Sequence, residues 1–129
     1  MLDLQKKNSR FLIDQVRILH KEKIIIFHLS GNIEINTAKS IETESNPLYS
    51  IYPDYDTVLN LENTGLISSS GFSIFIKMIK DKSKVNLEVK FCCLSPENRK
   101  VLEIMELGSI IKNFLTEEEC IEYFRTKRT

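Results

Sequence analysis

Apolar positions recur along this chain with two periods, and each change of period marks a new element. Phe11, Ile13, Val16, Ile18 and Leu19 set out a short strand, and His20-Lys21-Glu22-Lys23 is a polar break. Residues 24–29 then form a continuous apolar run with His28 inside it; the β-branched content and length mark a buried strand. Two strands on a short polar connection predict a hairpin. Gly31 is expected to end the second strand. Asn36-Thr37 can cap a helix that begins near Ala38, expected to be short because Pro47 and Pro53 follow and neither fits a helix interior. Val58, Leu59 and Leu61 mark a strand over 57–61, with a break at Thr64-Gly65. Phe72, Phe75, Ile76 and Ile79 recur at helical spacing and predict an amphipathic helix over 71–80. Leu87, Val89, Phe91 and Cys93 alternate with Glu88, Lys90 and Cys92, which is strand periodicity.

Ser95-Pro96 reads as the cap and first position of the next helix, with Val101, Leu102 and Met105 facing inward and Leu107-Gly108 as its stop. Residues 110–115 supply another short strand. Thr116 and the acids Glu117, Glu118 and Glu119 open a last helix, where negative charge suits the dipole. Cys120, Ile121 and Phe124 face its inner side. The order is strand, strand, helix, then strand and helix three times: an α/β layer structure with a largely parallel sheet. All four glycines are expected at element ends.

At 129 residues the chain is one domain, with polar tails expected over 1–9 and 126–129 and the domain over 10–125. Eighteen basic and eighteen acidic side chains balance, which argues against a general nucleic-acid binder or electrostatic docking on anionic membranes. No apolar run is long enough to span a bilayer and the N-terminus is polar, so the expected location is the cytoplasm. The three cysteines, Cys92, Cys93 and Cys120, lack metal-ligand spacing and read as reduced, partly buried thiols. No metal or cofactor is expected.

The candidate chemistry is narrow. Neither His20, in a charged turn, nor His28, in an apolar strand, has an evident nucleophile partner, and no hydrolase or nucleotide-binding motif is present. Tyr49, Tyr52 and Tyr55 stand beside Asp54 and Asp56, so they read as loop packing rather than as a base-stacking platform. What stands out is Ser68-Ser69-Ser70-Gly71, between a strand and an amphipathic helix. One serine serves as an N-cap; three exceed what a cap requires. A hydroxyl at an exposed helix N-terminus is well placed for phosphorylation, since the dipole and free amides tolerate the phosphate. A nucleotide cradle at the same place would lack the lysine and metal ligand of phosphoryl chemistry.

Four segments together resemble one family, from about residue 11 to residue 124. Residues 29–38, Leu-Ser-Gly-Asn-Ile-Glu-Ile-Asn-Thr-Ala, are similar to the "L-x-G-x-L-D-x-x-T-A" segment of STAS domains, the anti-sigma factor antagonist family. Val58-Leu59-Asn60-Leu61 resembles the strand before that family's phosphorylation loop, and residues 67–72 resemble the loop itself, "I-D-S-S-G-L". Residues 94–107 resemble "L-S-P-x-V-x-x-V-L-x-x-x-G-L". The resemblance implies a STAS fold: a mixed, largely parallel sheet of about five strands with about four α-helices.

It also implies a non-enzymatic partner switch. In that family the unphosphorylated antagonist binds an anti-sigma factor that is itself a serine kinase of the histidine-kinase-like ATPase type, freeing a sigma factor. Phosphorylation breaks the complex and a serine phosphatase resets it. By position the acceptor is Ser69, ahead of Ser68 and Ser70. The partner surface is expected to comprise Asn32, Glu34, Asn36, Thr37, Ser68, Ser69, Ser70, Gly71, Phe72 and Ile76. The family's aspartate before the acceptor is Ser68 here. That departure opens an alternative: a STAS scaffold without a phosphoswitch, as in a lipid-transport or stressosome-like assembly.

Overall fold

The computed structural model describes residues 12–127. Its strands are β1 (Ile13–Leu19), β2 (Ile24–Ile33), β3 (Asp56–Ile67), β4 (Val89–Cys92) and β5 (Asn113–Phe114). Its helices are α1 (Ile35–Ile51), α2 (Ser69–Ser83), α3 (Pro96–Ile104) and α4 (Glu117–Lys127). The strands form one sheet in the order β1-β2-β3-β4-β5. β1 and β2 form the expected antiparallel hairpin, and every later neighbour is parallel.

Ile24, Ile25, Ile26 and Phe27 are all essentially inaccessible, because β2 is covered on both faces. On one face Phe27, Leu29, Leu59 and Phe91 meet Ile41 of α1, Phe72 and Phe75 of α2, and Leu102 of α3. On the other, Ile24, Ile26, Val58 and Cys92 meet Cys120, Ile121 and Phe124 of α4. The inward positions predicted for α4 are therefore buried, and α4 continues through Lys127 into the segment expected to be a tail. The tail expected over 1–9 lies outside the described residues.

Several boundaries differ from the expectation. α1 is not short: it runs through Pro47 to Ile51. Proline removes an N–H and leaves the carbonyl of Thr43 without its helical donor, but Thr43 and Pro47 both lie on the exposed face of the helix, where that loss costs least. Ala38, Ile41 and Ser45 before the proline are buried, and Leu48 and Tyr49 after it pack on the core, so tertiary burial carries the helix across. The helix also starts earlier, with Glu34 as its N-cap. β2 continues past Gly31, which sits in the left-handed region at φ 82°, to Ile33. β3 continues past Gly65 to Ile67. Neither glycine is at an element end, because these extensions pair with each other, Gly31 with Thr64 and Ile33 with Ile67. The 110–115 strand shrinks to two residues.

Candidate functional site

The long β2 and β3 carry the chain beyond the end of β4, and the serine turn sits at their tip. Ser68 is the N-cap of α2; its hydroxyl accepts from the Gly71 amide at 3.0 Å and lies 2.9 Å from the Ser70 hydroxyl. The Ser68 amide donates to the Ile33 carbonyl at 2.9 Å, which ties the turn to the end of β2. Ser69 is the first residue of α2 and is exposed. Its carbonyl accepts from the Ser73 hydroxyl at 3.1 Å, while its own hydroxyl has no partner among the described residues.

Gly71 is buried because α2 crosses the end of β2 at close range. A Cβ there would lie 2.9 Å from the Ile33 carbonyl oxygen, so only glycine fits without displacement. Phe72, expected on the partner surface, is instead fully buried in the core, edge-on to Phe75. The helix turns about 100° per residue, and a face that exposes Ser69, Ser73 and Lys77 turns Phe72, Phe75 and Met78 inward. Ile76 is half-buried between the two faces.

Asn32, Glu34 and Asn36 are exposed around the β2–α1 turn, and the Ile33–Ser68 hydrogen bond brings this turn beside the serines. Thr37 is half-buried. Its hydroxyl accepts from the Glu34 amide at 2.8 Å, one arm of the cap that starts α1. The Asn32 Oδ1 accepts from the Leu66 amide at 2.9 Å, so part of this side chain is spent holding β3. Leu66 is 68% exposed and Ile35 43% exposed on the same edge, two apolar residues that periodicity did not single out. The carboxylates Glu42 and Asp81 and the cation Lys77 form an ion-pair group farther along α1 and α2.

The remaining candidates are structural. Glu117 at the start of α4 accepts from Asn60 Nδ2 at 2.7 Å and is ion-paired with Arg17. His28 Nε2 lies 3.1 Å from the same carboxylate, a close polar contact without the alignment of a hydrogen bond. Tyr49 is on α1, Tyr52 is its C-cap and Tyr55 follows. Tyr49 is hydrogen-bonded to Thr57, and Tyr52 and Tyr55 pack on each other and on His20. Burial pushes the thiols of Cys92 and Cys120 up, Cys120 to about 12, which makes them poor nucleophiles. Among the described residues no three His, Cys, Asp or Glu side chains gather to hold a metal, and no helix is long and apolar enough to cross a membrane.

The result is an α/β domain with a hydroxyl-rich turn at the C-terminal end of its central strand, β3. The chain belongs to the STAS domain family, whose sequence pattern matches residues 15–120. It is similar in fold to TM1081 of Thermotoga maritima, a candidate anti-sigma factor antagonist, with a TM-score of 0.75, 18% identity, and 92% of this chain and 99% of that one covered. The anti-sigma factor antagonist SpoIIAA in its unphosphorylated form matches with a TM-score of 0.70 at 20% identity, over 87% of this chain and 96% of that one. The Bacillus SpoIIAA has also been solved in a phosphorylated form, which matches at 0.62 and 20% identity over 84% and 96%. A sulfate transporter family protein from Wolinella succinogenes matches at 0.70 with 9% identity, over 95% of this chain and all of that one. At these identities the likeness establishes the fold.

Proposed function

We propose that this chain is a non-enzymatic, cytoplasmic anti-sigma factor antagonist whose partner exchange is switched by phosphorylation of Ser69. Its unphosphorylated form binds an anti-sigma serine kinase of the histidine-kinase-like ATPase type, and a serine phosphatase restores that form. The observation that carries this reading is the division of labour in the turn: Ser68 and Ser70 hydroxyls bond each other, and the Ser69 hydroxyl stays exposed and uncommitted. A phosphate there adds about −1.5 to −2 charges at a helix N-terminus, where the dipole accommodates it within the chain. The same charge repels an acidic partner surface. Moving a partner equilibrium from 1:99 to 99:1 requires about 5.5 kcal/mol, which a desolvated phosphate contact can supply in large part.

Intact mass and site mapping of the protein from its native cells, in growth and under stress, test this reading. A phosphate on Ser69 whose occupancy changes with condition is expected. Partner binding by calorimetry adds a second check: Ser69→Ala binds constitutively and Ser69→Asp binds poorly. Equal affinities would remove the phosphoswitch.

A second reading is a STAS scaffold without a switch. It is supported by Ser68 in place of the family aspartate and by the fold similarity to a sulfate transporter family protein. An unmodified chain in every condition that copurifies with a transporter subunit would favour it.

A further inference from the structure

Asn98, in the first turn of α3, is 1% exposed, yet its amide is not idle. Its Oδ1 accepts from the Ile67 amide at 2.9 Å, and its Nδ2 donates to the Gly65 carbonyl at 2.7 Å. Backbone groups two residues apart point to the same side of a strand, so Asn98 reads one edge of β3. That edge is the one β4 would occupy, but the β3–β4 ladder ends at Asn60 with Cys92. A side-chain amide thus does the work of a missing strand segment. From the opposite edge, Asn32 Oδ1 holds the intervening Leu66 amide at 2.9 Å. The last residues of β3 are therefore gripped alternately from both sides, immediately before Ser68.

We infer that Asn98 is a positioning residue for Ser69. It fixes where β3 ends, hence where α2 begins and how the Ser69 hydroxyl is displayed, and it makes α3 and the serine turn one mechanical unit. Its importance for signalling rests on the reading of Ser69 as the switch; its geometric action does not. The family pattern carries valine at this place. Valine would remove both hydrogen bonds and leave the Ile67 amide buried without a partner.

The test is amide hydrogen exchange and amide NMR on the isolated chain, which needs no kinase. Asn98→Val is expected to accelerate exchange at Ile67 by about tenfold, the loss of one buried hydrogen bond, and to shift the amide resonances of residues 68–71. Leu102→Ala, in the same helix and also buried, is the control. It is expected to lower the melting temperature while leaving those resonances in place. Asn98→Asp keeps an acceptor for Ile67 and loses the donor to Gly65. It is expected to keep Ile67 protected and to shift Gly65 and Leu66, and it serves as the test if the valine variant does not fold. Native resonances over 65–71 in the folded Asn98 variants, or equal shifts in Leu102→Ala, would overturn the inference. Ser69 found unmodified in cells would instead remove the switch and leave this role of Asn98 standing.

Discussion

The Gly71 amide donates to the Ser68 hydroxyl, so one serine of the turn caps the helix that displays the next. The two hydroxyls differ in what they hold, and substitution should separate them. Ser68→Ala removes the cap and is expected to destabilise the fold by about 1 kcal/mol. Ser68→Asp keeps a capping oxygen and adds charge favourable to the dipole, so its stability should equal or exceed the native value. Ser69→Ala touches no hydrogen bond of its own side chain and should stay within about 0.5 kcal/mol. Urea denaturation of the three variants measures this order; a Ser69→Ala loss as large as that of Ser68→Ala would reverse it.

Gly71 tests how tightly α2 is pressed on the end of β2. Alanine would put its Cβ 2.9 Å from the Ile33 carbonyl oxygen, a backbone atom that cannot swing aside. The expected cost is roughly 1–3 kcal/mol, the range for overpacking, together with a displaced serine turn. A melting temperature unchanged from the native chain would show that the helix moves away freely.

An acid-sensitive lock sits at the other end of the sheet. Burial alone would raise the Glu88 carboxyl, but hydrogen bonds from Lys127, Tyr123 and Lys90 prevail and hold it near 2, below its ordinary 4.5. Lys127 Nζ lies 2.6 Å from Glu88 and 3.1 Å from the buried Asp56, so the last turn of α4 is tied to β3 and to the residue before β4. A carboxyl with a depressed native pKa stabilises fully above its unfolded value and loses that contribution as pH falls through the native one. The loss should therefore fall between pH 4.5 and about 2 and amount to about 1–2 kcal/mol after solvent screening. Lys127→Met should flatten the stability profile in that window. An unchanged acid limb would separate Glu88 from acid unfolding.

Cys92 and Cys120 are fully buried where α4 meets the sheet, and their raised pKa values keep them protonated. Their alkylation therefore reports undocking of α4. Phe124→Ala, which empties the largest side chain of that contact, should cost about 3–5 kcal/mol and accelerate labelling of both thiols. Labelling restricted to half-buried Cys93 in that variant would mean that α4 stays seated.

The hairpin, the Ser95-Pro96 helix start, the burial of Phe124 and the serine turn were legible because each depends on local chemistry. Ser95 does accept from the Asn98 amide, as a cap should. What sequence could not give was set by distant partners. Pro47 is tolerated because Ile41 is buried before it and Tyr49 packs on the core after it. Gly31 and Gly65 lie inside strands because the extensions of β2 and β3 that carry them pair with each other, not because of their own preferences. Phe72 illustrates a related point: proximity in sequence to a surface serine places it a quarter-turn away, inside the core. Asn98 gave no signal by its own chemistry, since a polar residue in a first helical turn ordinarily faces water; only the valine of the family pattern at this place marks the position as an inward one.

The strands stand in the sheet in the same order as in the chain. Each unit emerging from the ribosome can therefore add to the edge laid down just before it, with no strand having to insert between two others. The β1–β2 hairpin is a template for β3, and β3 for β4, so pairings close loops of modest length and the search is short. The last of the described elements, α4, carries Cys120, Ile121 and Phe124 to a face of the sheet formed by earlier strands. Until that helix docks, Ile24, Ile26 and Val58 lie bare, which makes the nascent chain vulnerable to aggregation and to proteases until α4 is made and seated.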